Sequence, residues 1–262
     1  GDLDQEYIDK IVGNNLIQLS NVQYKEPGMD EWGDKPSYTD AGTYEIQIKG
    51  TVTVGSGTAA EEYILQTTAT LVIEKRSVTL TSATDSKQYD GTPLTNDEVT
   101  VSGDGFAAGE GATYNVTGSQ TIVGSSENYF TYELNAGTKA ENYNITTSNG
   151  TLTVTSRDAK YEITVVANSG TEKYDGSEKR VSGLVTDTFV IEGNTYTVEG
   201  LSAEAVGTDA GNYPSNVTGT PVVKDAEGNV VTDQFTVKTQ NGSLVIEKRS
   251  VTLTSATDSK QY

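Results

Sequence analysis

Leu71-Val-Ile-Glu-Lys-Arg-Ser-Val-Thr-Leu-Thr-Ser-Ala-Thr-Asp-Ser-Lys-Gln-Tyr89 occurs twice in this chain. The same residues return without a change as Leu244 to Tyr262, at an offset of 173 (244 − 71). The stretch reads as a strand, a charged joint and the first strand of a new module. Val78 and Leu80 point one way and Thr79 and Thr81 the other, the period of two that marks a half-buried strand. A repeat of this kind decides the architecture before any single residue does. It predicts a string of small modules of roughly 75–90 residues, an ordinary domain size, that bury only about 60% of their unfolded surface. The second copy stops inside a repeat, so the sequence reads as a piece of a longer array. The offset is close to the second and third modules together, and the repeat unit is either one module or a pair.

Working outward from the repeat, residues 1–74 form a first, divergent β-module. Tyr7 to Val12 reads as a short strand or helical turn, and Asn15 to Tyr24 as a strand. Glu26-Pro27-Gly28 breaks the chain. Trp32-Gly-Asp-Lys-Pro36 is a loop, Tyr44-Glu-Ile-Gln-Ile-Lys49 alternates, and Tyr63–Gln66 and Ala69–Glu74 continue the sheet. Residues 75–156 form the second module, with strands at Val99–Ser102, Tyr114–Thr117, Phe130–Leu134 and Thr151–Thr155. Asp90-Gly91 and Asn149-Gly150 supply its turn signals, since these residues tolerate positive φ. Residues 157–247 form the third, opening with Tyr161–Val166 and repeating the turn as Tyr174-Asp175-Gly176. Phe189–Glu192 and Tyr196–Glu199 follow, and Asn241-Gly242 leads to the closing strand Leu244–Glu247. Residues 248–262 are the truncated start of a fourth module. The joints are short and lack Gly and Pro. A flexible linker would be longer and Gly/Ser-rich. The expectation is therefore a mainly β protein whose modules form an extended rod, on the order of 100 Å long at about 3.3 Å per strand residue.

Composition narrows the chemistry. Eighteen basic residues against 37 acidic ones leave a formal charge of −19. That disfavours nucleic acid and anionic membranes as partners. With no Cys and no His, zinc sites, disulfides, thiol nucleophiles and histidine triads are excluded. No apolar run of about 18 residues exists, so no membrane insertion is expected. Asp225 to Asp233 and Asp104 to Glu110 are acidic turns without the spacing of a calcium loop. Carboxylate pairs such as Glu61-Glu62 and Asp97-Glu98 have no predicted cleft around them, and a glycosidase needs one. Gly103-Asp-Gly105 and Gly109-Glu-Gly111 read as hairpin glycines rather than a phosphate cradle. The chain is therefore read as non-catalytic and free of cofactors. Many of its 15 tyrosines sit on the apolar phase of a strand or in the Tyr-Asp-Gly turn. Trp32, in a loop with Gly28, Asp30, Gly33, Asp34 and Pro36, is the candidate ligand contact; the alternative is a ring packed back on its own module. A Lys–Asn isopeptide cross-link beside a buried acid is a further possibility that sequence leaves open.

Ser86-Lys-Gln-Tyr-Asp-Gly-Thr-Pro-Leu-Thr95, Val116-Thr-Gly-Ser-Gln-Thr121, Glu141-Asn-Tyr-Asn-Ile-Thr146 and Asn149-Gly-Thr-Leu-Thr-Val154 resemble the MBG-type repeats of Gram-positive surface proteins, named for likeness to a module of mucus-binding proteins. Lys173-Tyr-Asp-Gly176, Val206-Gly-Thr-Asp-Ala-Gly-Asn-Tyr213 and Asn241-Gly-Ser-Leu-Val-Ile246 carry the same resemblance in the third module. The first keeps Tyr38-Thr-Asp-Ala-Gly-Thr-Tyr44 and has Tyr24-Lys25-Glu26 where the others have Tyr-Asp-Gly. The resemblance implies small β-modules, β-grasp-like or Ig-like sandwiches, in a wall-anchored, extracellular bacterial protein. It brings no catalytic residues. The function expected is a stalk that projects another domain from the wall. The alternatives are an adhesive module binding mucin or another host glycan, and an accessory region of a larger surface enzyme.

Overall fold

The computed structural model describes residues 17–54, 58 and 60–262. The expected element at Tyr7–Val12 lies outside them. The architecture is mainly β: the regular elements are strands and short 3-10 turns, with no α-helix among the described residues. A β-grasp lays its sheet over a helix; the second and third modules, whose strands fall in several sheets, are consistent with the sandwich instead. The first predicted module supplies β1 (Ile17–Lys25), β2 (Gly42–Val54) and β3 (Glu61–Ile73), an antiparallel meander. The second supplies β4 (Arg76–Ser82), β5 (Asp85–Gln88), β6 (Val99–Gly103), β7 (Ala112–Val116), β8 (Gly124–Asn128), β9 (Phe130–Leu134), β10 (Tyr143–Ser148) and β11 (Gly150–Thr155). The third supplies β12 (Tyr161–Val166), β13 (Gly170–Lys173), β14 (Lys179–Ser182), β15 (Thr188–Ile191), β16 (Asn194–Gly207), β17 (Gly211–Lys224), β18 (Phe235–Gln240) and β19 (Gly242–Glu247).

These elements form two compact units, each discontinuous in sequence. One comprises the described residues up to Thr81 with Val99–Asn115 and Thr131–Ser148; the other comprises Ser82–Glu98, Val116–Phe130 and Asn149–Tyr262. The first holds the meander, the three-stranded sheet β10-β4-β6 and the pair β7-β9. The second holds β5-β11-β8, the pair β12-β18 and a six-stranded sheet ordered β13-β19-β17-β16-β14, with β15 on β16.

The second and third modules share one wiring rule. β4 runs parallel to β10 with Arg76 opposite Tyr143, and β5 runs parallel to β11 with Asp85 opposite Leu152. In the third module β12 runs parallel to β18 with Tyr161 opposite Phe235, and β13 to β19 with Gly170 opposite Leu244. The separation is 67 in both halves of the second module (143 − 76, 152 − 85) and 74 in both halves of the third (235 − 161, 244 − 170). The first and last strands of a module thus step together from one sheet into another.

That step corrects the reading of the two Asn-Gly pairs. The chain does not reverse at Asn149-Gly150 or Asn241-Gly242; β10 continues into β11 and β18 into β19, both parallel to the opening strands. Neither glycine has a positive φ. Glycine is required for closeness instead. A Cβ at Gly150 would lie 2.3 Å from the Ala83 carbonyl oxygen, and one at Gly242 2.3 Å from that of Asn168. The crossing in the second module is fastened by buried polar groups. Ser82 Oγ donates to the Asn128 carbonyl at 2.5 Å and accepts from Gly150 N–H at 2.9 Å. Asn128 Nδ2 donates to the carbonyls of Ala83 and Asn96 at 3.0 and 2.9 Å.

Alternation located several strands well. Phe130–Leu134 and Tyr161–Val166 have the predicted bounds, and Val78 and Leu80 are buried while their threonine neighbours are half-exposed. Tyr63–Gln66 and Ala69–Ile73 run within the single strand β3, which ends one residue before the expected Glu74. The hairpin of fourteen-residue strands β16 and β17 was foreseen only in part. Pro214 sits in β17 opposite Ser243 of β19 and outside the register with β16, so its missing N–H removes no bond to β16. The core of the second unit gathers Tyr89, Leu152 and Val154 with Ile163, Val165, Tyr196, Val223 and Phe235. Residues 248–262 have no regular structure. Val251 and Leu253 are 79% and 92% exposed, whereas Val78 and Leu80, the same positions in the first copy, are 1% and 0% exposed.

Gly150→Ala is expected to destabilise the protein by about 1–3 kcal/mol, the usual cost of forcing extra volume into a packed site. Urea unfolding measures it, and an unchanged midpoint would contradict the crossing geometry.

Candidate functional site

Trp32 lies half-buried on the first module rather than free in its loop. Gly33 bridges back to Tyr24, with N–H···O distances of 2.9 Å in both directions. The Lys25 and Lys49 ammonium groups stand 5.2 and 4.7 Å from the indole centroid. Such contacts draw on the negative face of the ring, and they occupy the surface a sugar would stack on. Nearby, Tyr38 stacks on Tyr44 with centroids 3.9 Å apart. Its hydroxyl donates to Glu26 at 2.5 Å, which pushes the phenol up to about 12.

The third module carries an open groove of about 990 Å³ over β16 and β17. Ser202 pairs across from Thr218 and Glu204 from Asn216, so four polar side chains form a grid on one sheet face. The segment Gly183–Asp187 walls one side. It is tied down by Gly183 N–H to the Ala203 carbonyl and Val185 N–H to the Val166 carbonyl, each at 2.9 Å. Thr186 Oγ1 is engaged by the backbone at Thr188, and Glu204 by Arg180. The groove offers hydroxyl, amide and carboxylate groups with Leu184, Val185 and Leu201 beside them, a surface suited to hydrogen-bonding hydroxyl groups. None of these residues carries a sequence signal, because Ser, Thr and Asn on an outward strand face look like ordinary solvated positions.

The Tyr-Asp-Gly turns fold alike. Asp90 accepts from Thr92 N–H, Thr92 Oγ1 and Lys87 Nζ at 2.9, 2.7 and 2.7 Å. Asp175 accepts from Ser177 N–H, Ser177 Oγ and Lys179 Nζ at 2.9, 2.6 and 2.7 Å. Burial pushes the Asp90 carboxyl up, but the Lys87 and Thr92 bonds outweigh it and hold it low. Lys179, then Ser177, hold Asp175 well below the usual carboxylate range. The acidic turn at Asp225 spends its oxygens on Glu227 N–H, Asn229 N–H and the Asn229 side chain. Among the described residues no three acidic side chains converge as a cation site.

The junctions between predicted modules are bonded. In the first unit Lys139 Nζ reaches Asp40 Oδ2 at 2.6 Å, Asn142 Nδ2 donates to Asp40 Oδ1 at 3.0 Å, and Ala41 N–H donates to Asn142 Oδ1 at 2.7 Å. Asn142, then Lys139, lowers the Asp40 carboxyl. In the second unit Gln234 Oε1 accepts from Arg157 N–H at 2.9 Å. Arg157 itself donates to the Tyr89 carbonyl at 3.0 Å, and its guanidinium lies 3.8 Å from the Tyr161 ring centroid. Asn142 and Gln234 occupy the same place, the end of a 3-10 turn (Ala140–Asn142, Thr232–Gln234) that leads into β10 and β18.

Tyr89 and Tyr196 meet beneath the second junction. Their hydroxyls approach one another, yet neither has a hydrogen bond of normal geometry. Burial, then the neighbouring Tyr196, pushes the Tyr89 phenol far up; burial raises Tyr196 too. A phenol raised in the folded state leaves stability intact below about pH 10 and lost above it. Tyr89→Phe with Tyr196→Phe is expected to be neutral or stabilising at pH 7, because both orphaned hydroxyls go together, and to flatten the loss of stability between pH 10 and 12. Urea unfolding across that range checks both signs.

No protein-family model matches the chain, and no curated protein matches it. Among solved structures it is similar, at 11% identity and a TM-score of 0.15, to a SusE-like surface-located polysaccharide-binding protein from the Bacteroides thetaiotaomicron heparin utilisation locus. The match covers 90% of this chain and 36% of that one, so the chain spans little more than a third of that protein's length. A likeness at this score carries no argument about function.

Proposed function

We propose that this chain is a non-catalytic stalk segment of an extracellular bacterial surface protein, built from MBG-like modules that hold another part of the protein away from the wall. The observation that supports it is where the compact units divide. The division falls within residues 75–156, and each predicted junction lies inside a unit. The Asp40–Lys139–Asn142 cluster fastens the first, and Arg157, Gln234 and Tyr89 the second. Joints bonded to backbone resist bending better than a solvated linker does, and restricted joints are what a spacer needs. The −19 charge keeps such a surface soluble.

Small-angle scattering tests this reading. The expected particle is elongated, with a maximum dimension on the order of 100 Å; a compact globular profile would overturn the stalk. Asp40→Ala is expected to broaden the distribution. Because the folded Asp40 carboxyl is lowered, its contribution is complete above the ordinary carboxylate range of about 4 and is lost only as pH falls through the lower folded value. Acidification through that value should therefore mimic the mutation.

A second reading, adhesion to mucin or another host glycan, is favoured by the groove over β16 and β17. Its partner would be a neutral or cationic sugar face, since Asp187 and the −19 charge of the chain repel anions. A mucin and glycan-array screen separates the sites. Binding lost in Asn216→Ala with Thr218→Ala, and kept in Trp32→Ala, would assign the groove. Loss in Trp32→Ala would assign the first module, and no binding at high micromolar concentration would discard adhesion.

A further inference from the structure

Thr39-Asp-Ala-Gly-Thr-Tyr44 and Thr208-Asp-Ala-Gly-Asn-Tyr213 are one device used twice. Tyr44 Oη donates to the Asp40 carbonyl at 2.8 Å, and Tyr213 Oη to the Asp209 carbonyl at 2.9 Å. Each glycine opens a strand that pairs antiparallel with the repeated segment in the same register. Gly42 faces Ile73 and Tyr44 faces Leu71; Gly211 faces Ile246 and Tyr213 faces Leu244. Both turns therefore stand at the same place relative to the Glu-Lys-Arg-Ser exit that follows. At the first, Lys139 and Asn142 close on Asp40 and Ala41. At the second, among the described residues, no side chain bonds the Asp209 carboxylate. Asp209 and Ala210 instead line an open hollow of about 830 Å³ with Tyr174 and the exit segment 248–252.

The intervening junction shows that the turn's two middle residues match what faces them. There Thr121-Ile-Val-Gly124 replaces Thr-Asp-Ala-Gly. Ile122 and Val123 face Val231 to Gln234 across a groove of about 360 Å³. Val231 holds the position of Lys139, four residues ahead of the strand that opens at Phe235 or Tyr143. An Asp-Ala turn thus meets a Lys and an Asn, and an Ile-Val turn meets a Val and a Gln.

We propose that the Thr208–Gly211 turn is a docking socket for a module of the second module's kind, one carrying Lys-x-x-Asn in the 3-10 turn before its penultimate strand. Asp209 takes the ammonium and the amide NH₂, and Ala210 N–H gives its hydrogen bond to the amide oxygen. A module of the third kind, with Val in place of Lys, brings no cation of its own to Asp209 and is discriminated against. Ser250–Tyr262 are identical to Ser77–Tyr89, the residues that open the second module. The proposal rests on the tandem-module reading.

The chain has no cysteine, which permits disulfide trapping. The chain is lengthened beyond Tyr262 with a copy of residues 90–156. Ala210→Cys is paired with Asn142→Cys in the copy and compared with Ala41→Cys and Asn142→Cys in the original chain. The expected result is trapping at similar rates in both, slowed at least tenfold at the new junction by Asp209→Lys and restored by Lys139→Asp in the copy. Trapping in the original pair alone, no effect of Asp209→Lys, or a copy that stays unfolded overturns the docking proposal while leaving the stalk intact. Failure of both pairs removes the bonded junction itself, and the stalk reading with it.

Discussion

Parallel pairing between the first and last strands of a module, at a crossing where only glycine fits, is the constraint on which the rest depends. Val78 and Leu80 owe their burial to partners 67 residues away. The same residues at Val251 and Leu253 lie exposed because no strand runs beside them. Burial here belongs to the pairing and not to the segment. Long-range closure of this kind is entropically costly before its contacts form, so the two ends of a module are expected to form together or not at all. Ser82 and Asn128 serve that closure by satisfying the backbone groups that the sheet switch would strand in the interior.

The same geometry exports one end of each module to its neighbour. Tyr89 follows β5 and is 1% exposed beneath Tyr196; Tyr174 follows β13 in the equivalent place and is 37% exposed. A Cβ on Gly91 would lie 2.3 Å from Tyr196 Oη, while one on Gly176 would meet nothing. Both turns have positive φ and the same Asp hydrogen bonds, so the turn is intrinsic and its cover is not. Closing a module prepares the surface on which a further one can rest.

What was legible in the sequence follows from this. Phe130–Leu134 and Tyr161–Val166 could be read because one face is apolar and the period of two is unbroken. Gly124–Asn128 and Asp85–Gln88 could not, since Gly-Ser-Ser-Glu-Asn and Asp-Ser-Lys-Gln offer no apolar side chain to bury and pair as strands through ladder bonds to β11. Asn149-Gly150 was misread because a glycine needed for closeness looks, in one dimension, like a glycine needed for a turn. Trp32 was visible as an odd residue, but Lys25 and Lys49 reach it from separate strands. The groove over β16 and β17 was invisible, its grid set by register and not by motif. Asp40 and Asn142 are 102 residues apart, and no spacing rule brings them together.

The electrostatic background gives the joints their selectivity. With 37 acidic residues against 18 basic ones, two such surfaces brought together repel. Many of the cations are already held locally: Lys87 on Asp90, Lys179 on Asp175, Lys224 on Glu199 and Lys238 on Glu162. Exposed pairs of this kind add little stability. Their consequence is that a junction must bring its own cation or present an uncharged face. Lys139 does the first, and Ile122 with Val123 does the second. Screening over about 8 Å at physiological salt confines the repulsion to close approach. It therefore opposes a misplaced module at the moment of contact, and one lysine at the right register is enough to reverse its sign.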